Sequence, residues 1–205
     1  FIFSLISRQP PFGSSLALFF ATGMLTLQFF NETMGKLTTS FNANRALLTY
    51  PPIKQVDTII SRVILIALTF LVIMFVFYAC LFYADLAFLP AYPEQVVLAF
   101  LATAISGMGF GLTSAFITVF WDHWIQVQKI ITRPLFFVSG IFYVPSYLPP
   151  EAIAVLEWNP VLHLVEWFRE GFYPNYNSLV LDRFYPVSLG VVLLLTGLAG
   201  ERFSR

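Results

Sequence analysis

Five stretches of the chain are apolar for long enough to be read as membrane spans, and they set every other expectation. The clearest is Ile59–Ala84, which carries no charge between Arg62 and Asp85 and is built from Val, Ile, Leu, Phe, Ala and a few small or hydroxylated residues. A helix needs about 20 apolar residues to cross the ~30 Å hydrocarbon layer, and this run exceeds that. Ser15–Phe30 predicts another span, continuing to about Met34. Glu94–Phe120 predicts a further one, and Phe184–Gly200 the last. Pro134–Val144 is short as written, with room to start near Val127. Phe1–Ile6 reads as the tail of a helix already under way, so a first span is expected to be largely missing. The fold expected is therefore an all-α polytopic membrane protein, one transmembrane domain over residues 1–205 with about six spans. Ser7–Ser14 and Asp85–Pro93 are loops marked by proline and glycine. Gly35–Thr58 and Trp121–Arg133 are polar.

Composition agrees with this reading. Charged residues make up 11% of the chain, against about 25% in soluble domains. Zero net charge argues against a nucleic-acid partner, which needs a basic patch. Cys80 is the single cysteine, so no intramolecular disulfide can form, and it is expected to be a small buried apolar residue.

Lys and Arg accumulate on the cytoplasmic side of membrane proteins. Alternating the loops puts Lys36, Arg45, Lys54, Arg62, Lys129, Arg133, Arg202 and Arg205 on one side and Arg8, Arg169 and Arg183 on the other. The segment 40–58, residues 121–133 and the C-terminus are thus expected in the cytoplasm, and 145–182 outside.

In the first of these, Asn42 or Asn44 can cap a short helix over Arg45–Thr49. Pro51 and Pro52 stop it. Leu47, Leu48 and Tyr50 are left exposed, either as an interfacial loop or as a knob that docks a soluble partner. The outer segment 145–182 is no simple loop. Pro150 and Glu151 offer a helix start, Asn159-Pro160 breaks the helix, and Val161–Phe172 predicts a second one ended by Gly171 and Pro174. Each piece is too short to cross but apolar enough to enter, which predicts a re-entrant hairpin near a channel's outer mouth. His163, Glu166, Trp167 and Glu170 fall on one face of its second helix, with Arg169 three residues from Glu166.

Elsewhere, Gly107 and Gly111 are spaced for close helix packing. Trp121 and Trp124 form an aromatic belt at the cytoplasmic boundary or a gate there. No G-x-x-x-x-G-K-[ST] phosphate loop, G-x-S-x-G or H-E-x-x-H motif occurs.

Three segments carry a family resemblance: ANRALLTYPPIKQVDTIISR, WNPVLHLVEWFREGFYPNY and, less specifically, QKIITRPLFFVSGIFYVPSYLP. They resemble the membrane (permease) subunit of type-2 ATP-binding-cassette exporters, in the branch that exports capsular polysaccharides and similar lipid-linked glycans in Gram-negative bacteria. The resemblance implies a multi-pass inner-membrane subunit that pairs with a second copy of itself. It implies no catalytic residue, cofactor or metal in this chain, with ATP and Mg held by a separate nucleotide-binding ATPase subunit. That partner would dock on the coupling helix formed by Asn44, Arg45, Leu47, Leu48 and Tyr50. Trp121, Trp124, Trp158, His163, Glu166, Trp167, Arg169 and Glu170 are the candidates for the substrate channel, with Trp158 and Trp167 able to stack on sugars. Two other readings of the hairpin cluster stay open: a polar network that holds the hairpin, and a metal site, for which only one His is at hand. The rival functions are a type-2 exporter of drugs or teichoic-acid-like polymers, a secondary carrier and a membrane glycosyltransferase.

Overall fold

The structure, a computed structural model, describes residues 10–13, 15–40, 55–121 and 123–203. Among them are seven α-helices and no strand: α1 (Leu16–Thr38), α2 (Gln55–Tyr83), α3 (Pro93–Phe120), α4 (Trp124–Val138), α5 (Pro150–Leu156), α6 (Pro160–Phe172) and α7 (Phe184–Phe203). A single 3-10 turn, Pro145–Tyr147, precedes α5. The expected coupling helix at Asn44–Tyr50 lies outside the described residues.

Local chemistry sets several helix ends. The Ser15 hydroxyl accepts the Leu18 N–H at 3.3 Å and caps α1. Prolines occupy the first turns of α3, α5 and α6, where a missing N–H costs nothing. By length and composition α2 and α3 can each cross a membrane, and Phe184–Gly200 forms a shorter apolar helix. The fifth span differs from its expected bounds. The helix there starts at Trp124, three residues before the Val127 start allowed for it, and stops at Val138 rather than Val144. Pro134 removes one helical N–H but does not end the helix. Gly140, at φ 71°, does, by turning the chain into the left-handed region.

The core forms around α3, which packs against α7, α1 and α6. Its glycines serve two partners on opposite faces. A Cβ on Gly107 would meet the Thr33 side chain at 2.9 Å, and one on Gly111 would meet Leu37 at 2.7 Å, so this pair seats α1. Gly109 faces the other way, against the backbone of Gly190 on α7. The α3–α7 crossing is also tied by Ser106 Oγ donating to the Pro186 carbonyl (2.8 Å) and Thr113 Oγ1 to the Leu193 carbonyl (2.7 Å). With lipid as solvent, such small-residue contacts and cross-helix hydrogen bonds replace the hydrophobic drive.

Two helices are sparsely packed. α2 leans on α1 along one stripe, where Phe29 stacks between Phe70 (5.0 Å) and Phe100 (4.6 Å). The rest of α2, including Leu65, Val72 and Phe75, is exposed. Cys80 lies on that exposed side, contrary to the expectation of burial, because α2 has a neighbour on one flank only. α4 buries no residue against the described part of the chain.

Candidate functional site

Helix α6 carries a polar network inside an apolar shell. Arg169, Glu166 and His163 are at most 2% exposed. Arg169 Nη1 donates to Glu166 Oε1 (3.2 Å) and to the Gly140 carbonyl (2.7 Å), while Nη2 donates to the Ile141 carbonyl (3.1 Å) and, at 3.5 Å, to that of Phe19. Its guanidinium lies 3.8 Å from the centroid of the Phe19 ring. Gly23 makes room for this, since a Cβ there would stand 3.1 Å from Nη2. Tyr176 completes the group, its hydroxyl 2.9 Å from both Glu166 oxygens. Burial first, and then the Glu166 charge, push the Tyr176 phenol above its ordinary range, so it serves as a donor. The i,i+3 pairing of Glu166 and Arg169 is thus present.

The network pins the end of α4. Gly140 and Ile141 lie just past that helix, and their carbonyls are orphan acceptors that Arg169 satisfies. Asn159 does the same one turn earlier. Its Nδ2 donates to the Val138 carbonyl (3.2 Å) and Ser139 Oγ (3.1 Å), while its Oδ1 accepts the Val161 N–H (3.0 Å) and caps α6. One side chain therefore closes α4 and opens α6. At the other end of α4, Gln128 Oε1 accepts from Thr38 Oγ1 at 3.0 Å. A helix with little lateral packing beyond Leu135 and Phe136 is held at both ends by hydrogen bonds.

The other hairpin residues fall into place around this. His163 Nδ1 accepts the Asp182 N–H (3.0 Å), which leaves the proton on Nε2 to be donated to the Glu157 carbonyl (2.7 Å). Trp167 is 7% exposed and donates its indole N–H to Gln95 Oε1 on α3 (2.9 Å). Glu170 pairs with Arg183 at 2.8 Å and lines an outer polar cleft of ≈ 300 Å³ with Glu94, Asn175 and Asn177. Trp158 is 73% exposed, and its carbonyl accepts from the Tyr185 hydroxyl. Trp121 and Trp124 stand together at the start of α4, ring centroids 6.3 Å apart, far from the hairpin in sequence. Of the eight channel candidates, then, His163, Glu166 and Trp167 have their polar atoms engaged by protein, as does Arg169 apart from its Nε; Trp158, Trp121 and, in part, Glu170 face outward; and the Trp124 indole N–H is buried without a partner among the described residues. Among the described residues no three metal-ligating side chains converge.

Sequence reasoning missed Tyr176, Gln95 and Asn159's double cap, and it missed that Arg169 binds backbone carbonyls from the turn after α4. Carbonyl acceptors carry no residue signature; only the paired Gly140 and Gly23 hint at them.

A second feature lies between α1 and α4. A groove of ≈ 340 Å³ is lined by Asn31, Met34, Gly35, Gln128, Lys129, Thr132 and Arg133. It has two cations one helical turn apart and no acid in its wall. Neither Lys129 nor Arg133 makes an ion pair or hydrogen bond with the described residues. Asn31 Oδ1 is buried there without a partner among them.

Residues 1–173 match the family model of the ABC-2 type transporter. Over 198 residues the chain is 28% identical to the polysialic acid transport protein KpsM of Escherichia coli, covering 97% of this chain and 77% of that protein. It is 26% identical to the capsule polysaccharide export inner-membrane protein CtrC of Neisseria meningitidis serogroup B, covering 90% and 70% respectively. With the capsule polysaccharide export inner-membrane protein BexB of Haemophilus influenzae the identity is 25%, covering 88% and 71%. The chain belongs to the ABC-2 type transporter membrane family.

Proposed function

We propose that this chain is the permease subunit of an ATP-driven exporter that moves capsular polysaccharide, or a similar lipid-linked glycan, across the bacterial inner membrane. The observation that carries the reading is similarity over nearly the whole chain to inner-membrane proteins named for polysaccharide transport and export. A separate ATPase subunit binds ATP with Mg and docks on the cytoplasmic segment 40–58 through Asn44, Arg45, Leu47, Leu48 and Tyr50. Two copies of the chain form the pore. Each crosses the membrane about six times, and the C-terminus is cytoplasmic. α5 and α6 enter from outside as a re-entrant hairpin without crossing: at 1.5 Å per residue they are about 10 and 20 Å long.

The geometry supports a division of labour. Arg133 lies nine residues beyond Trp124, about 14 Å along α4. With Trp124 at the boundary, that puts a cation inside the hydrocarbon level, where an ionisable group needs a partner. An anionic headgroup of a lipid-linked substrate suits the α1–α4 groove. The Arg169 network then acts as scaffold, and α4 carries movement of the docked ATPase to the hairpin.

The test is a Leu47→Asp/Leu48→Asp variant expressed with the ATPase subunit in an acapsular host lacking its own permease gene. Membrane insertion stays intact, co-purification of the ATPase is lost and surface polysaccharide disappears. Surface polysaccharide made at the wild-type level with the ATPase still bound overturns the proposal. Cysteine at position 47 labelled only from the periplasm overturns the topology.

A further inference from the structure

α2 and α3 are consecutive helices that diverge instead of packing side by side, and the wedge between them is an apolar cavity of ≈ 610 Å³. Phe75, Tyr78 and Phe82 form one wall, Val97 and Leu101 the other, and Phe172 of α6 the floor, its ring tilted against Tyr78 with centroids 4.5 Å apart. Phe75 is 72% exposed and Leu101 51%, so the wedge opens sideways rather than being sealed. Along α2 it runs from Leu71 to Tyr83, about 18 Å at 1.5 Å per residue. Half of the ~30 Å hydrocarbon layer is about 15 Å, so the wedge has the length of one leaflet.

The turn at its mouth carries one charge: between Tyr83 and Tyr92, Asp85 is the single ionised side chain. Asp85 closes α2 with a Schellman pair, its N–H on the Phe82 carbonyl and the Leu86 N–H on that of Leu81. It does so at φ 55°, a position that favours glycine, and its carboxylate has no partner among the described residues. The negative end of the α2 dipole points the same way. Both features attract a cation and repel a second anion.

We propose that the α2–α3 wedge holds one acyl chain of a phospholipid whose headgroup bears an ammonium, as phosphatidylethanolamine does, set against Asp85. The leaflet is the outer one under the topology proposed above, but occupancy of the wedge does not depend on that topology. The site is distinct from the α1–α4 groove: it takes a resident membrane lipid rather than the exported substrate.

The experiment uses the full chain with its ATPase subunit in vesicles of equimolar phosphatidylethanolamine and phosphatidylglycerol, one lipid at a time bearing brominated acyl chains. Phe75→Trp reports from inside the wedge, and Leu195→Trp reports from the exposed side of α7, each read as the difference from the parent protein. Brominated phosphatidylethanolamine is expected to quench the Phe75→Trp signal about two- to fivefold more strongly than brominated phosphatidylglycerol, the preference an exposed ion pair supports. Leu195→Trp should not discriminate. Adding Asp85→Asn, which keeps a residue tolerant of positive φ, should bring the Phe75→Trp ratio to one. Equal quenching by both lipids with Asp85 intact refutes the headgroup assignment. No quenching by either refutes the lipid, and means that protein fills the wedge, either the chain before residue 10 or a second copy. If Phe75→Trp fails to insert, Leu101→Trp on the opposite wall gives the same readout.

Discussion

Arg169→Met strands a carboxylate. In the native chain Glu166 is fully buried and meets one cation and one hydroxyl. Without Arg169, only Tyr176 faces it, and the Gly140 and Ile141 carbonyls lose their donors. Removing one partner of a buried pair costs about 3–5 kcal/mol, because the other charge stays buried. For a chain of this size 1 kcal/mol shifts the unfolding midpoint by about 2–4 °C, so a drop of about 10 °C is expected. Arg169→Lys should fall between, since a single ammonium can meet Glu166 but cannot also spread over the Ile141 and Phe19 carbonyls or stack on Phe19. The decisive variant is Arg169→Met/Glu166→Gln. It removes both charges and should recover roughly half of the loss, a coupling that only directly interacting residues show. Thermal challenge of a detergent-solubilised fluorescent fusion, followed by size-exclusion chromatography, reads each midpoint. Arg169→Met within about 2 °C of wild type, less than 1 kcal/mol by the same conversion, would refute the argument. So would a double variant no better than the single.

Three further outcomes test the packing and the network. Asn159→Ala removes a cap from two helices, at about 1–2 kcal/mol, and should raise amide exchange at both 136–141 and 160–163; a rise at one site alone would dismiss the shared cap. Gly109→Leu should abolish the monodisperse folded peak because its side chain meets the Gly190 backbone, whereas Gly35→Ala, with nothing within 4 Å, should leave the midpoint unchanged or slightly raised. Burial holds the Tyr176 phenol above its ordinary range, so the native state keeps that proton when the unfolded chain releases it near pH 10. Its contribution is complete below that pH and is lost as pH rises beyond it; Tyr176→Phe should therefore flatten the alkaline fall in thermal midpoint, and an unchanged slope would count against the assignment.

The helices were legible because bilayer-length apolar runs and proline punctuation are local signals. α2 and α3 fall within a few residues of the expected spans, and the Asn159-Pro160 break separates α5 from α6 as read. The end of the expected fifth span was misplaced, because the terminator, Gly140, owes its effect to a backbone angle. The G-x-x-x-G reading correctly named Gly107 and Gly111 as packing residues. It could not name Gly109's partner, since Gly190 lies 81 residues away and pairs through backbone alone. Of the hairpin cluster, Glu166–Arg169 followed from helical spacing. Its purpose did not, because four of Arg169's acceptors are main-chain carbonyls.

What the network accomplishes follows from where α4 is not held. A helix with no buried face has few lateral contacts to resist displacement, so its position is decided at its ends. Among the described residues, one end is held by the Thr38–Gln128 hydrogen bond next to the aromatic pair Trp121 and Trp124. The other is the Asn159–Arg169 clasp, with at least four hydrogen bonds onto residues 138–141. The asymmetry makes the clasp the fixed end and the Gln128 end the free one. Under the topology proposed above, a push on α4 from the cytoplasmic side breaks one bond there before it breaks four at residues 138–141, so that α5 and α6 move with α4 as a unit. Strengthening the weak end should slow transport: a disulfide between cysteines at positions 38 and 128 should arrest export in oxidant and release it in reductant. Export that continues with the crosslink formed would show that α4 does not move relative to α1 during the cycle.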